Sequence, residues 1–166
     1  MNELTTDPFI ETIHEIFDSM IGSPVTVEAS QRITSVPHSP DLIGVIGLSG
    51  SAQGMVALRM PEKSACAIIG QMVGAQFDEV TSEIVDGVGE LVNMVAGSAK
   101  ARFKGHSISI SIPTVVCGDI CRLSSSSDTM WTEFRLKTEL GDFWLIVSLK
   151  AVKPVLQEVA SEGTCR

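Results

Sequence analysis

Two segments of this chain lie over one another without a gap. FIETIHEIFDSMIG (9–22) meets IVDGVGELVNMVAG (84–97) position by position. Phe9, Ile10, Ile13, Ile16, Phe17, Met20 and Ile21 fall on apolar residues, and Gly22 falls on Gly97. Glu11 falls on Asp86, Glu15 on Glu90, and Asp18 on Asn93. Both segments have the apolar period of an amphipathic helix. Each is followed by short segments of β-like composition. The order predicts a helix-then-strands unit used twice, over about 7–75 and 80–160, within one domain spanning 1–166. In this match the first copy lacks the amide of the second.

The bulk numbers fit a single packed core. Hydrophobic residues make up 44% of the 166, which excludes a disordered chain. Twelve basic against 20 acidic residues leave a net charge of −8. No basic patch is present for nucleic acid, and none for an anionic membrane surface. The stretch MNELTTDPFIE lacks the basic n-region of a signal peptide. ACAIIGQMVGA is too short to cross a bilayer. A cytoplasmic protein is expected. Cys66, Cys117, Cys121 and Cys165 show no complete metal-ligand spacing and read as free thiols. His14, His38 and His106 are scattered.

Local signals place the elements. Asp7-Pro8 opens a helix that Gly22 and Pro24 close. TVEAS, RITSV, LIGVIGLSG and GMVALRM read as strands, with SGSAQG as a hairpin turn between the last two. PEKSACAIIGQMVG is a second helix from Pro61 to about Gly74. A third runs from about Ser82 to Lys104. SISISI (107–112) alternates as a half-buried strand. TEFRLKT and FWLIVSLK are the strongest strands of the C-terminal half. Ser124 to Ser127 reads as a polar loop, and VKPVLQEVASEG as a short last helix.

The third helix carries the chemistry. Asp86, Glu90, Asn93 and Gly97 follow at steps of three or four residues and so share one face. Ile84, Val88, Leu91 and Val95 form a separate apolar line that can dock on a sheet. Gly87 and Gly89 flank Glu90, and each costs about 0.8–1 kcal/mol relative to Ala inside a helix. Two compensations are open: close helix packing within the domain, or a surface kept low for a partner. A carboxylate at Glu90 can pair with a Lys or Arg. The Asn93 amide offers one acceptor and two donors. It can hold a water in line with an electrophile, as amides do in phosphoryl transfer. The chain shows no phosphate-binding loop or activated nucleophile, so the rest of any active site must come from another molecule. The same line is also what an ordinary solvated helix face looks like.

At these residues the sequence resembles the CheC/CheX/FliY family of chemotaxis phosphatases, its CheX branch in particular. D-GVG-E-LV-N supplies the acid, glutamate and asparagine of the family motif, and VGELVNMVAGSAK is close to its usual wording. The PFIE helix, the GVIGLSG strand and SISIP extend the resemblance over most of the chain. Pro113 follows Asn93 after nineteen residues, fewer than the family spacing, so a shorter connection after the helix is expected. The resemblance implies an α+β fold with a largely antiparallel sheet packed by long helices and a pseudo-twofold repeat. It also implies a phosphatase acting on the aspartyl phosphate of a CheY-type response regulator. Glu90 would pair with the regulator's lysine and Asn93 would orient the water. Asp86, Gly87, Gly89 and Gly97 would border the partner. No cofactor of its own is implied; Mg²⁺ would sit in the regulator's site. A homodimer is implied as well. Asp18, a carboxylate at the amide position, would repel the phosphoryl group, so one active site per chain is expected. The alternative is a docking module for receiver domains that hydrolyses nothing.

Overall fold

The computed structural model describes residues 4–36, 41–118, 122–125 and 129–153. Three α-helices are present among them: α1 (Asp7–Ile16), α2 (Glu62–Val73) and α3 (Ser82–Arg102). A π-helical turn, Phe17–Ile21, continues α1. The strands are β1 (Thr26–Ile33), β2 (Ser35–Val36), β3 (Asp41–Gly50), β4 (Ala52–Pro61), β5 (Ile108–Ile110), β6 (Thr114–Val116), β7 (Leu123–Ser124), β8 (Trp131–Thr138) and β9 (Gly141–Ala151).

Seven strands form one sheet in the order β1-β8-β9-β4-β3, with β5 and β6 both on the outer edge of β3. Every pairing is antiparallel. The α+β architecture therefore agrees with the reading from sequence. Its centre is the β4–β9 pair, running from Ala52↔Ala151 to Arg59↔Trp144. The hairpin β3–β4 from the first part of the chain lies beside the hairpin β8–β9 from the second. The first strand of each part crosses over: β1 pairs with β8, while β5 and β6 pair with β3. The short β2 and β7 pair with each other as a separate ribbon. Each part thus lends its first strands to the edge of the other part's hairpin, so the edge strands are exchanged.

The helices cover one face of the sheet. Ile84, Val88, Leu91 and Val95, the apolar line of α3, are fully buried there. Phe9 meets Phe103 at 5.7 Å between ring centroids, and Phe17 stacks on Phe143 at 5.0 Å. A smaller cluster of Val36, Ile43, Ala57, Trp131 and Ile146 lies on the other face, where Val36 and Leu123 come from the β2–β7 ribbon.

Two glycines set how deep α3 sits. A Cβ on Gly44 in β3 would lie 3.1 Å from both Val88 and Val92. A Cβ on Gly87 would lie 2.3 Å from Ile69 Cγ2 on α2. Bare backbone at these points lets the helix approach the sheet and its neighbour helix closely.

Some local expectations are corrected. SISISI is a strand only over Ile108–Ile110; regular pairing with β3 is then interrupted for three residues and resumes as β6. Ser111 causes the break. Its N–H donates to Gly47 O at 2.9 Å, and its Oγ accepts from Gly47 N–H at 2.9 Å. TVEAS and RITSV merge, giving β1 and then the two-residue β2. The cap of α1 is Thr6 rather than Asp7, with no side-chain cap bond. Gly22 (φ 71°) and Gly74 (φ 72°) end their helices in the left-handed conformation as expected. The last helix expected in VKPVLQEVASEG, and Cys121, Cys165 and His38, lie outside the described residues apart from Val152 and Lys153.

Candidate functional site

α3 is held at three sides, by α1, α2 and β3, and presents the fourth. Asp86 and Glu90 are exposed on that side; Asn93 and Gly97 are half-buried. Neither Asp86 nor Glu90 takes an ion pair, and Asn93 makes no side-chain hydrogen bond, among the described residues. The helix starts at Thr81, whose hydroxyl accepts a long bond (3.4 Å) from Ile84 N–H. Glu83 lies in the first turn and Lys100 and Arg102 in the last, as the helix dipole favours.

The glycines beside Glu90 divide in role. Gly87 is buried against Ile69. Its compensation is close packing inside the chain. Gly89 is buried too, but towards the 111–115 segment: a Cβ there would lie 3.3 Å from Val115 and 3.9 Å from Pro113. Val85, Asp86, Gly89, Glu90, Pro113 and Val115 line a shallow groove of about 330 Å³. Pro113 thus stands beside Glu90 despite its short spacing from Asn93. Next to it Ile112 is 85% exposed, on a loop held by the Ser111 bonds to Gly47 and by the Ser111 hydroxyl donating to Ile112 O at 2.9 Å. Gly97 has no atom within 4 Å of a built Cβ and borders a second hollow with Lys100, His106 and Ser107.

The sequence alone did not point to Pro113 and Val115 as walls of this groove. Proline within an alternating run was the available signal, because it removes an N–H from an edge strand. A larger hollow, about 610 Å³, lies elsewhere, between α2 and the 75–80 segment. Cys66 borders it, and burial, with Glu62 and Asp78 nearby, pushes the thiol pKa up. A thiol kept protonated is a poor nucleophile. No three His, Cys, Asp or Glu among the described residues are placed to hold a metal ion. No helix among them is long and apolar enough to cross a membrane.

The counterpart face on α1 is arranged differently. Arg102, from the last turn of α3, reaches Glu11 at 3.1 Å through one guanidinium nitrogen and bonds Glu15 through another. The bond to Glu15, above all, raises the Arg102 pKa beyond its ordinary range. Asp18 is exposed within the π-helical turn. Gly22 N–H and Ser23 N–H both donate to Phe17 O, at 2.8 and 3.1 Å. Asp18 therefore lies in a wider winding than its counterpart Asn93, which is in regular α-helix.

The family model described as chemotaxis phosphatase CheX matches residues 42–135. The chain belongs to this family. A CheY-P phosphatase CheX of Thermotoga maritima is 28% identical over 146 residues, covering 85% of this chain and 90% of that protein. The crystal structure of a CheC-like superfamily protein from Shewanella sp. PV-4 superposes with a TM-score of 0.80 at 23% identity, covering 91% of this chain and all of that one. CheX in a complex with CheY, BeF₃ and Mg²⁺ from Borrelia burgdorferi superposes with a TM-score of 0.64 at 17% identity, covering 87% and 96%. At such identities the two structures establish the shared fold.

Proposed function

We propose that this chain hydrolyses the aspartyl phosphate of a CheY-type response regulator, with α3 entering the regulator's site. One observation carries the reading: in a CheX-family chain, Asp86, Glu90 and Asn93 stand in line on an outward helix face with no side-chain partners among the described residues. The Thermotoga relative is a CheY-P phosphatase, and the Borrelia structure pairs CheX with CheY.

Glu90 presents a carboxylate to a lysine of the regulator. That contact sets the distance between the two proteins. Asn93, one helical turn on, then faces the phosphoryl group. Its carboxamide oxygen accepts from the attacking water and its NH₂ donates towards a phosphoryl oxygen. Water oxygen bonds to phosphorus as the phosphorus–aspartate bond breaks. The electron pair returns to the aspartate carboxylate, and inorganic phosphate leaves. The amide exchanges no proton; its contribution is position. Mg²⁺ belongs to the regulator's side of the site and supplies charge neutralisation there. A substrate of this kind places the protein in the cytoplasm.

Asp86, Gly89 and Gly97 lie where the partner would approach. Exposed Ile112 and Pro113 add an apolar shoulder beside the carboxylates. A homodimer is part of the same reading, and the solvent-facing β1, paired among the described residues on one side, offers a sheet edge suited to it. The test is the decay of a phosphorylated CheY-type receiver. Wild type should accelerate it, and Asn93→Ala should remove about 10²-fold of that acceleration while the fold persists. A wild-type protein that binds the receiver without accelerating decay would make it a docking module.

A further inference from the structure

We infer that Arg102 supplies from within the chain the cation that the α1 acids would otherwise take from a partner, and so confines receiver docking to the α3 face. The inference rests on the reading of Glu90 as acceptor of a receiver lysine. Glu11 and Glu15 occupy the positions of Asp86 and Glu90 in the gapless match. Both have side chains more than half exposed, 61% and 64%. By exposure and spacing they form the same acidic pair as the one on α3. The difference is occupancy. One guanidinium bridges both carboxylates, an arm to each, and both bonds are charge-assisted.

Arg102 is also well placed to stay. Its side chain is 30% exposed, and the adjacent Phe103 packs on Phe9 of α1. The cation and the helix it neutralises are thus fixed to one another. An incoming lysine would have to displace a preorganised fork with a single ammonium. On α3 no such group among the described residues stands between solvent and Asp86 or Glu90.

A merely structural Arg102 would pin α1 to α3 and have no effect on how many receivers bind. The experiment counts them. Asp18→Asn serves as background, to remove the carboxylate that would face a phosphoryl group. Beryllofluoride-loaded CheY-type receiver is titrated calorimetrically into D18N, D18N with Arg102→Met, and D18N with Arg102→Lys. Methionine keeps the apolar stem without charge; lysine keeps the charge. The expected stoichiometry is one receiver per chain for D18N, two with methionine and one with lysine. Occupied α3 sites in every variant serve as the check on folding. A single receiver per chain with methionine, or loss of all binding, overturns the inference and leaves the proposed function standing. No binding by D18N with Arg102 intact overturns both.

Discussion

The α1 face and the α3 face carry paired acids at the same spacing, yet among the described residues only the α1 pair holds a cation. On α1 the carboxylates are neutralised from within and the next polar residue, Asp18, sits in a π-helical turn. On α3 the helix stays regular through Asn93 and the acids have no cation of their own among the described residues. A sequence motif therefore specifies a surface only together with what the fold brings against it. Here the deciding group, Arg102, is 91 residues from Glu11 and 87 from Glu15.

Substitutions can break this comparison, beginning with the largest expected effect. Asn93→Ala should lower receiver dephosphorylation by about 10²-fold with unchanged melting temperature; the decay assay above reads it, and undiminished turnover would equate the two faces. Gly87→Ala should destabilise the fold by about 1–3 kcal/mol, since the added methyl overlaps Ile69 on α2. A thermal melt measures this, and an unchanged midpoint would mean that α2 gives way easily. Glu90→Ala should weaken receiver binding about tenfold, equivalent to about 1.4 kcal/mol, with turnover at saturation less affected. A wild-type dissociation constant would remove the lysine contact from the account. Asp18→Ala should leave phosphatase activity unchanged, and any substantial loss would show that the α1 face also contributes to catalysis.

Much of this was legible before any coordinates. The α3 polar line follows from helical period alone, because side chains at steps of three and four must share a face. The two strong C-terminal strands and the β3–β4 hairpin were equally clear. The misreadings have physical causes. SISISI keeps its alternation through Ile112, but the Ser111 hydroxyl captures the Gly47 N–H and Pro113 has none to give, so pairing stops early. The π turn leaves the apolar pattern of FIETIHEIFDSMIG intact and is therefore silent in sequence. The groove wall from Pro113 and Val115 depends on where an edge loop lands against Gly89, a contact that no local pattern encodes. Gly87 showed the need for some compensation, and only Ile69 at its side decides which.

The exchanged edge strands have a consequence for how the protein comes into being. Among the described residues β1 pairs with β8 alone, with Ile33 opposite Trp131 and Gln31 bonded to Glu133 across 102 positions. Neither part of the chain can complete a sheet while the other is missing. Contacts this remote in sequence close late and slowly. A ribosome-bound N-terminal part would expose an unpaired β1 and an unneutralised Glu11–Glu15 pair until α3 emerged with Arg102. The two faces would then become distinct only in the final stage of folding.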